Sequence, residues 1–384
     1  MMARNLVVLL DGTSNQVEGD LTNVLKLYRM AVKDDEQLVF YHPGVGTVGL
    51  VSSWGRIKQK FNAILGLATG WGLDDNILKA YCFLCEQYRE GDRIYLFGFS
   101  RGAYTARALA GMIYLLGLLR PEQLNLAPYA LTAYKRASSQ NSLPIAWNFR
   151  RIIEGRRVPI AFVGVWDTVA SVLVPRPDRL WIPTMEFLPY TKQNPAVVVF
   201  RHAAAIDEKR RMFRLYSWAP DQDFQPDPFA EPQGKQDQQT VWFAGDHSDV
   251  GGGHPEAESQ PAKFPLLWMV AEAGAHGLQT LPDMIAHLGE GKPLPGGRHQ
   301  YVAPDATAPI HNSMKGFWPL LEWLPKNLKW RRWPTKSDKR GYYLPRSEPR
   351  KIEVDAFIHR SVDVRREATR YAPRNLPQDP HYTP

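Results

Sequence analysis

Five short apolar runs, each cut off by a polar or glycine-rich turn, set the rhythm of the chain. They are Asn5–Leu10, the run inside "DEQLVFYHPGVGT", Asp92–Phe97, Val158–Val165 and Thr240–Ala244. Continuous apolar runs of this length, rich in β-branched and aromatic types, predict strands buried on both faces. Other segments carry helical patterning, which predicts helices over Asp74–Tyr88 and Ala103–Leu119 and within "AKFPLLWMVAEAGAHG". "NPAVVVFRHAAAIDEKRR" is also read as helical from Pro195 onward. Strands alternating with helices, without internal repeats, predict an α/β fold built on a mostly parallel sheet.

In such a sheet, ligands and reacting groups collect beyond the carboxyl ends of the strands. Four polar motifs occupy that position here: Asp11-Gly12-Thr13, Ser100, Asp167 and His247. Around the second, Gly98-Phe99-Ser100-Arg101-Gly102 matches G-x-S-x-G. It stands where a predicted strand hands over to a predicted helix, the setting of a nucleophile elbow. The plainer reading is a tight turn whose small residues serve packing alone.

A serine hydroxyl becomes a nucleophile when a base takes its proton, and the base needs an acid to fix its tautomer. Ser100, Asp167 and His247 follow the chain order of α/β-hydrolases, each just beyond a strand. Asp167 could equally cap the segment after it, and His247 could serve a structural turn in "GDHSDVGGG". His202 is read as a packed helix residue; His254 and His359 are lesser rivals for the base. The amide of Arg101 and those of Gly12 or Thr13 are the expected oxyanion donors, with Asp11 bracing their loop and Asp249 supporting the histidine. The serine reading needs no cofactor and no metal.

A second reading takes Asp11, Asp167, His247 and Asp249 as hard ligands of a divalent ion in a metal-dependent hydrolase. A third is a hydrolase fold without activity, used for binding. Nucleotide binding finds no P-loop, and Cys82 and Cys85 sit inside a helical pattern, where they read as packing residues.

Taken in order, "LLDGTSN", "YHPGVGT", "GWGLDDNILKAYCFL", "GDRIYLFGFSRGAYTARALAG", "GVWDTV", "RHAAAIDEKRR" and "HSDVGGG" resemble the signature of a bacterial and fungal α/β-hydrolase family. That family includes the catalytic domain of type VI secretion phospholipase effectors. The resemblance covers roughly residues 4 to 275. It implies an α/β-hydrolase fold, esterase or phospholipase activity, and nucleophile, acid and base at Ser100, Asp167 and His247. It further implies a lipid or small-ester substrate, a secretion-apparatus partner and export by a type VI route.

Charge divides the chain in two. His311 to Pro384 holds 16 Lys and Arg against 8 Asp and Glu, an excess equal to the +8 of the whole chain. The preceding part is therefore near neutral, and the expected organisation is a catalytic domain over residues 1–290 followed by an extension over 291–384, packed on the core or acting as a lid. Within the extension, Trp318, Trp323, Trp330 and Trp333 stand among Lys326, Lys329, Arg331 and Arg332. This composition suits a lipid headgroup interface, and equally a tail whose rings dock on the core. Charge alone would allow nucleic acid, but no known module is present and none is expected to bind. No signal peptide or membrane span is evident, which predicts cytoplasmic synthesis.

Overall fold

In the computed structural model of the chain, residues 3–12, 20–44, 72–139, 143–169, 173–175, 183–185, 188–316, 318–328, 331–333 and 341–384 are described. Eight strands form one sheet, all neighbours parallel. They are β1 (Asn5–Leu10), β2 (Gln37–His42), β3 (Arg93–Phe99), β4 (Ile160–Trp166), β5 (Val197–Ala205), β6 (Asp237–Phe243), β7 (Phe357–His359) and β8 (His381–Thr383). Their order across the sheet is β8-β7-β6-β5-β4-β3-β1-β2.

The apolar runs are continuous because both faces are covered. Leu6, Val8 and Leu10 pack into one core with helices α2 (Leu73–Gln87) and α3 (Arg101–Leu116). Val7 and Leu9 join a second core with α1 (Asn23–Met30) and α7 (Gln260–Ala275). Alternate residues of one strand thus feed opposite cores. Burying one such side chain contributes about 1.5–3 kcal/mol, so a charge at any of these positions should unfold the domain. Helices α4 (Ala127–Ser139) and α5 (Leu143–Ile153) widen the first core; α8 (Pro282–Glu290) packs beside α1. Among the described residues no helix is long and apolar enough to cross a membrane.

One prediction fails outright. The segment from Pro195 is not helical: Val197–Ala205 is strand β5, in the interior of the sheet between β4 and β6. Three consecutive valines favour a pleated, doubly covered position, and pairing on both sides overrides the helix preference of Ala203–Ala205. His202 is accordingly a strand residue.

Residues 291–384 are tied to the rest by main-chain pairing as well as packing. β7 pairs with β6 through Val241–Phe357 and Trp242–Ile358, and β8 extends the same sheet. Helix α9 (Arg360–Ala368) follows β7, capped by His359, whose Nδ1 accepts from the Ser361 amide.

Candidate active site

With every strand of the sheet parallel, the residues that follow β1, β3, β4 and β6 emerge at one edge. β3 ends at Phe99, and Ser100 makes the turn into α3 with φ 58° and ψ −118°. A non-glycine residue held there costs roughly 1–3 kcal/mol, a strain typical of functional turns. The flanking glycines make the turn feasible. A Cβ on Gly102 would lie 2.1 Å from the Leu10 carbonyl oxygen, and one on Gly98 2.4 Å from that of Gly102.

Ser100 Oγ lies 2.8 Å from His247 Nε2, and His247 Nδ1 lies 2.5 Å from Asp167 Oδ2. All three side chains are buried. With Asp167 accepting, Nδ1 carries the proton and Nε2 is free to accept from the serine. His247 opens a short helix, α6 (His247–Gly251), whose first turn is locked by a reciprocal cap. Asp246 Oδ1 accepts from the Ser248 and Asp249 amides, and Asp249 Oδ2 accepts from the Asp246 amide at 3.0 Å. Phe99 and Phe213 flank the imidazole at ring distances of 4.6 and 4.9 Å, fixing its plane.

Asp167 carries a second set of partners that the sequence did not reveal. Arg350, from the extension, sets Nη1 on Oδ1 and Nη2 on Oδ2, the latter at 3.0 Å. The Ala205 amide also donates to Oδ1, at 2.9 Å. Burial opposes ionisation of this carboxyl, but the charge of Arg350 and the hydrogen bonds from His247 and Arg350 outweigh it and hold its pKa well below the usual range. Arg350 is fixed in turn by the carbonyls of Ala205 and Phe213. Nothing in "SEPRKIEVD" marks it, and it lies 183 positions from its partner. The available signal was chemical: an acid buried at a strand end demands a cation.

The other expected residues divide. Asp11 Oδ1 accepts from the Gly12 amide at 2.7 Å, and Oδ2 from the hydroxyls of Thr22 at 2.6 Å and Tyr41 at 2.9 Å. Thr13 lies outside the described residues. Arg101 is the first residue of α3, directly after the serine. Asp249 Oδ2 accepts from the Asp246 amide in the turn that carries His247.

The metal-ligand set proposed from the sequence is not assembled. Both Asp167 oxygens face Arg350, Asp11 faces Thr22 and Tyr41, and Asp249 faces His311. Among the described residues, the three-residue group of convergent ligating side chains is Asp249, His254 and His311 instead. His202 is buried with Nε2 accepting from the Thr168 amide at 3.1 Å, and burial lowers its pKa to about 3; it steadies the turn after Asp167 as a neutral ring. Burial likewise lowers His359 to about 4. Cys82 and Cys85 lie on α2 as packing residues, and burial pushes the Cys85 thiol up to about 12.

The basic extension reaches this site through aromatic stacking. Trp318 meets Phe213 edge-on at 5.4 Å, and Phe213 is the ring against His247; Arg210 lies 3.7 Å from the Phe213 centroid. Trp333 is turned inward, its indole donating to the Pro349 carbonyl at 2.8 Å. Trp323 is 59% exposed, beside exposed Leu320 and Leu324. Trp330 lies outside the described residues.

Comparison with known proteins places this chain within a family. A yeast relative, the uncharacterized protein YEL023C of Saccharomyces cerevisiae, is 35% identical over 232 residues, 56% of this chain and 33% of its own length. The chain thus matches about a third of that protein. Two solved structures also align. An uncharacterized protein from Pseudomonas aeruginosa has 19% identity and a TM-score of 0.39, over 74% of this chain and 48% of the other. The Tle1 effector solved bound to the VgrG spike of the type 6 secretion system has 16% identity and a TM-score of 0.32, over 68% and 53%. The family model described as the catalytic domain of Tle1-like type VI secretion phospholipase effectors matches residues 4–272, well over half of the chain. This chain belongs to that family.

Proposed function

We propose that the chain is a serine hydrolase of carboxylic esters, with phospholipids as its substrate class. The observation that carries the reading is the buried relay of hydrogen bonds from Ser100 through His247 to Asp167, at 2.8 and 2.5 Å. Family membership supports lipid esters over other acyl compounds.

In this mechanism Ser100 Oγ attacks the acyl carbonyl carbon while His247 Nε2 takes the hydroxyl proton. The imidazolium so formed is stabilised by Asp167, which stays ionised because Arg350 neutralises it from the other side. The tetrahedral oxyanion is held by the Arg101 amide at the N-terminus of α3. Collapse expels the alcohol, to which His247 returns the proton, and leaves an acyl-serine. Water, deprotonated by the same imidazole, then releases the fatty acid and restores the serine.

The split among the tryptophans supports a membrane-facing role for one part of the extension. Trp318 and Trp333 serve packing, whereas Leu320, Trp323 and Leu324 stay in solvent beside Arg346, whose guanidinium lies 5.0 Å from the Trp323 ring. The extension then presents the sheet edge to a lipid surface.

The test is covalent labelling with a fluorophosphonate probe alongside hydrolysis of a phospholipid panel. Labelling that maps to Ser100 and disappears in Ser100→Ala, together with fatty-acid release, is the expected result. An unlabelled protein whose lipid hydrolysis survives in Ser100→Ala would overturn the assignment.

A further inference from the structure

A second cluster of ligating side chains stands behind the turn that carries His247. Asp249, His254 and His311 each offer one ligand atom, and the three atoms lie within 4.8 Å of one another. His311 Nδ1 is 2.7 Å and His254 Nε2 3.7 Å from the same atom, Asp249 Oδ1. The two imidazoles stack face to face, centroids 3.5 Å apart and planes 16° apart, so both rings present an edge nitrogen to one carboxylate oxygen.

Three features distinguish this from a chance surface grouping. First, the outer partners are in place. His311 Nε2 lies 2.9 Å from Glu258 Oε2, the carboxylate–imidazole arrangement that orients ligating histidines. Asp249 Oδ2 is fixed by the Asp246 and His311 amides, which leaves Oδ1 aimed at the rings. Second, the cluster is acidic at close range. Asp246, Asp249 and Glu258 crowd it, and among the described residues their ion-pair partners within 4 Å are the two histidines, while Arg210 and Lys315 act on Asp246 and Glu258 from farther away. Third, access is open: Asp249 is buried, but both imidazoles are about one-fifth exposed.

We propose that Asp249, His254 and His311 form a binding site for a Zn²⁺-class divalent ion. Two imidazole nitrogens and one carboxylate oxygen suit a late first-row ion, while Mg²⁺ and Ca²⁺ prefer oxygen donors throughout. Water or Asp246 Oδ1, which lies 3.3 Å from His254 Nε2, completes the shell. Coordination replaces the contacts of His311 Nδ1 and His254 Nε2 with the carboxylates: the His311 Nδ1 proton leaves to solvent, and His254 ligates as the neutral ring with its proton on Nδ1. The ion would then join two regions far apart in sequence. Asp249 belongs to the helix that begins with His247, and His311 to the extension. The site is a structural clamp beside the hydrolytic centre, and it stands whether or not Ser100 is a nucleophile.

The test is titration of the EDTA-stripped 384-residue chain with Co²⁺, followed by visible absorption. A single equivalent should give d–d bands of a low-coordinate nitrogen–oxygen site, displaced by Zn²⁺ but not by Mg²⁺ or Ca²⁺. The bands should vanish in His254→Ala/His311→Ala. Zn²⁺ should also raise the Tm of the wild-type chain and leave that of His311→Asn unchanged, a measurement that holds even where the double variant folds poorly. Absence of Co²⁺ bands in the wild-type protein, or equal binding by the variants, would overturn the proposal.

Discussion

The sheet edge and the extension contribute to one site in different ways. Ser100, Asp167 and His247 stand past the ends of strands β3, β4 and β6, each within a local motif. The extension supplies Arg350 from an irregular segment and Trp318 from a single helical turn, and neither was marked by a local motif as part of the site. The edge holds the groups that would meet the substrate. The extension holds the groups that fix their charge and orientation. Strand ends dictate position through topology, so chemistry placed there is legible in advance. A contact made by a distant loop depends on packing that only the folded chain reveals.

The largest expected effect tests the edge. Asp167→Asn should lower kcat/KM for an ester by about 10⁴-fold, since the imidazole loses its tautomer and its counter-charge. A loss of tenfold or less would mean that Asp167 does no more than cap its turn.

Arg350→Met tests the extension. It leaves Asp167 buried without its cation, which should destabilise the fold by about 3–5 kcal/mol in chemical denaturation. An unchanged midpoint would reduce Arg350 to a surface-like contact and break the division drawn above.

The same pair predicts a pH dependence. Asp167 is held below its unfolded pKa of about 3.9, so its contribution to stability is fully present above that value. The contribution is lost as the pH falls through the folded-state pKa. In Arg350→Met the depression shrinks, and the acid limb of Tm against pH should move to higher pH than in the wild type. Coincident limbs would show that Arg350 does not set the charge of Asp167.

The smallest effects separate the tryptophans. Trp318→Ala removes the edge contact on Phe213 and should cost about 1 kcal/mol. Trp323→Ala/Leu324→Ala should change stability by less than about 0.5 kcal/mol but weaken binding to anionic vesicles. Equal vesicle binding by the double variant would leave the exposed patch without a lipid role.

What was legible follows the same division. Short apolar runs ending in polar turns identified β1, β2, β3, β4 and β6, because strands covered by helices carry apolar residues at successive positions. Strand β5 was misread because its second half, Ala203–Ala205, is small and helix-favouring; only its neighbours β4 and β6 make it a strand. The bond from the Gly12 amide to Asp11, one residue earlier, had no sequence signal. His254 and His311 could be paired only in space, since 57 positions separate them and a proline- and glycine-rich stretch intervenes.

The central claim is that Ser100, His247 and Asp167 act as one unit. Measuring kcat/KM for Ser100→Ala, His247→Ala and the double variant tests it most directly. The account predicts that each single change costs nearly as much as both together, because either one disables the whole relay. Losses that multiply across the two substitutions, or a Ser100→Ala protein that retains hydrolysis, would contradict it.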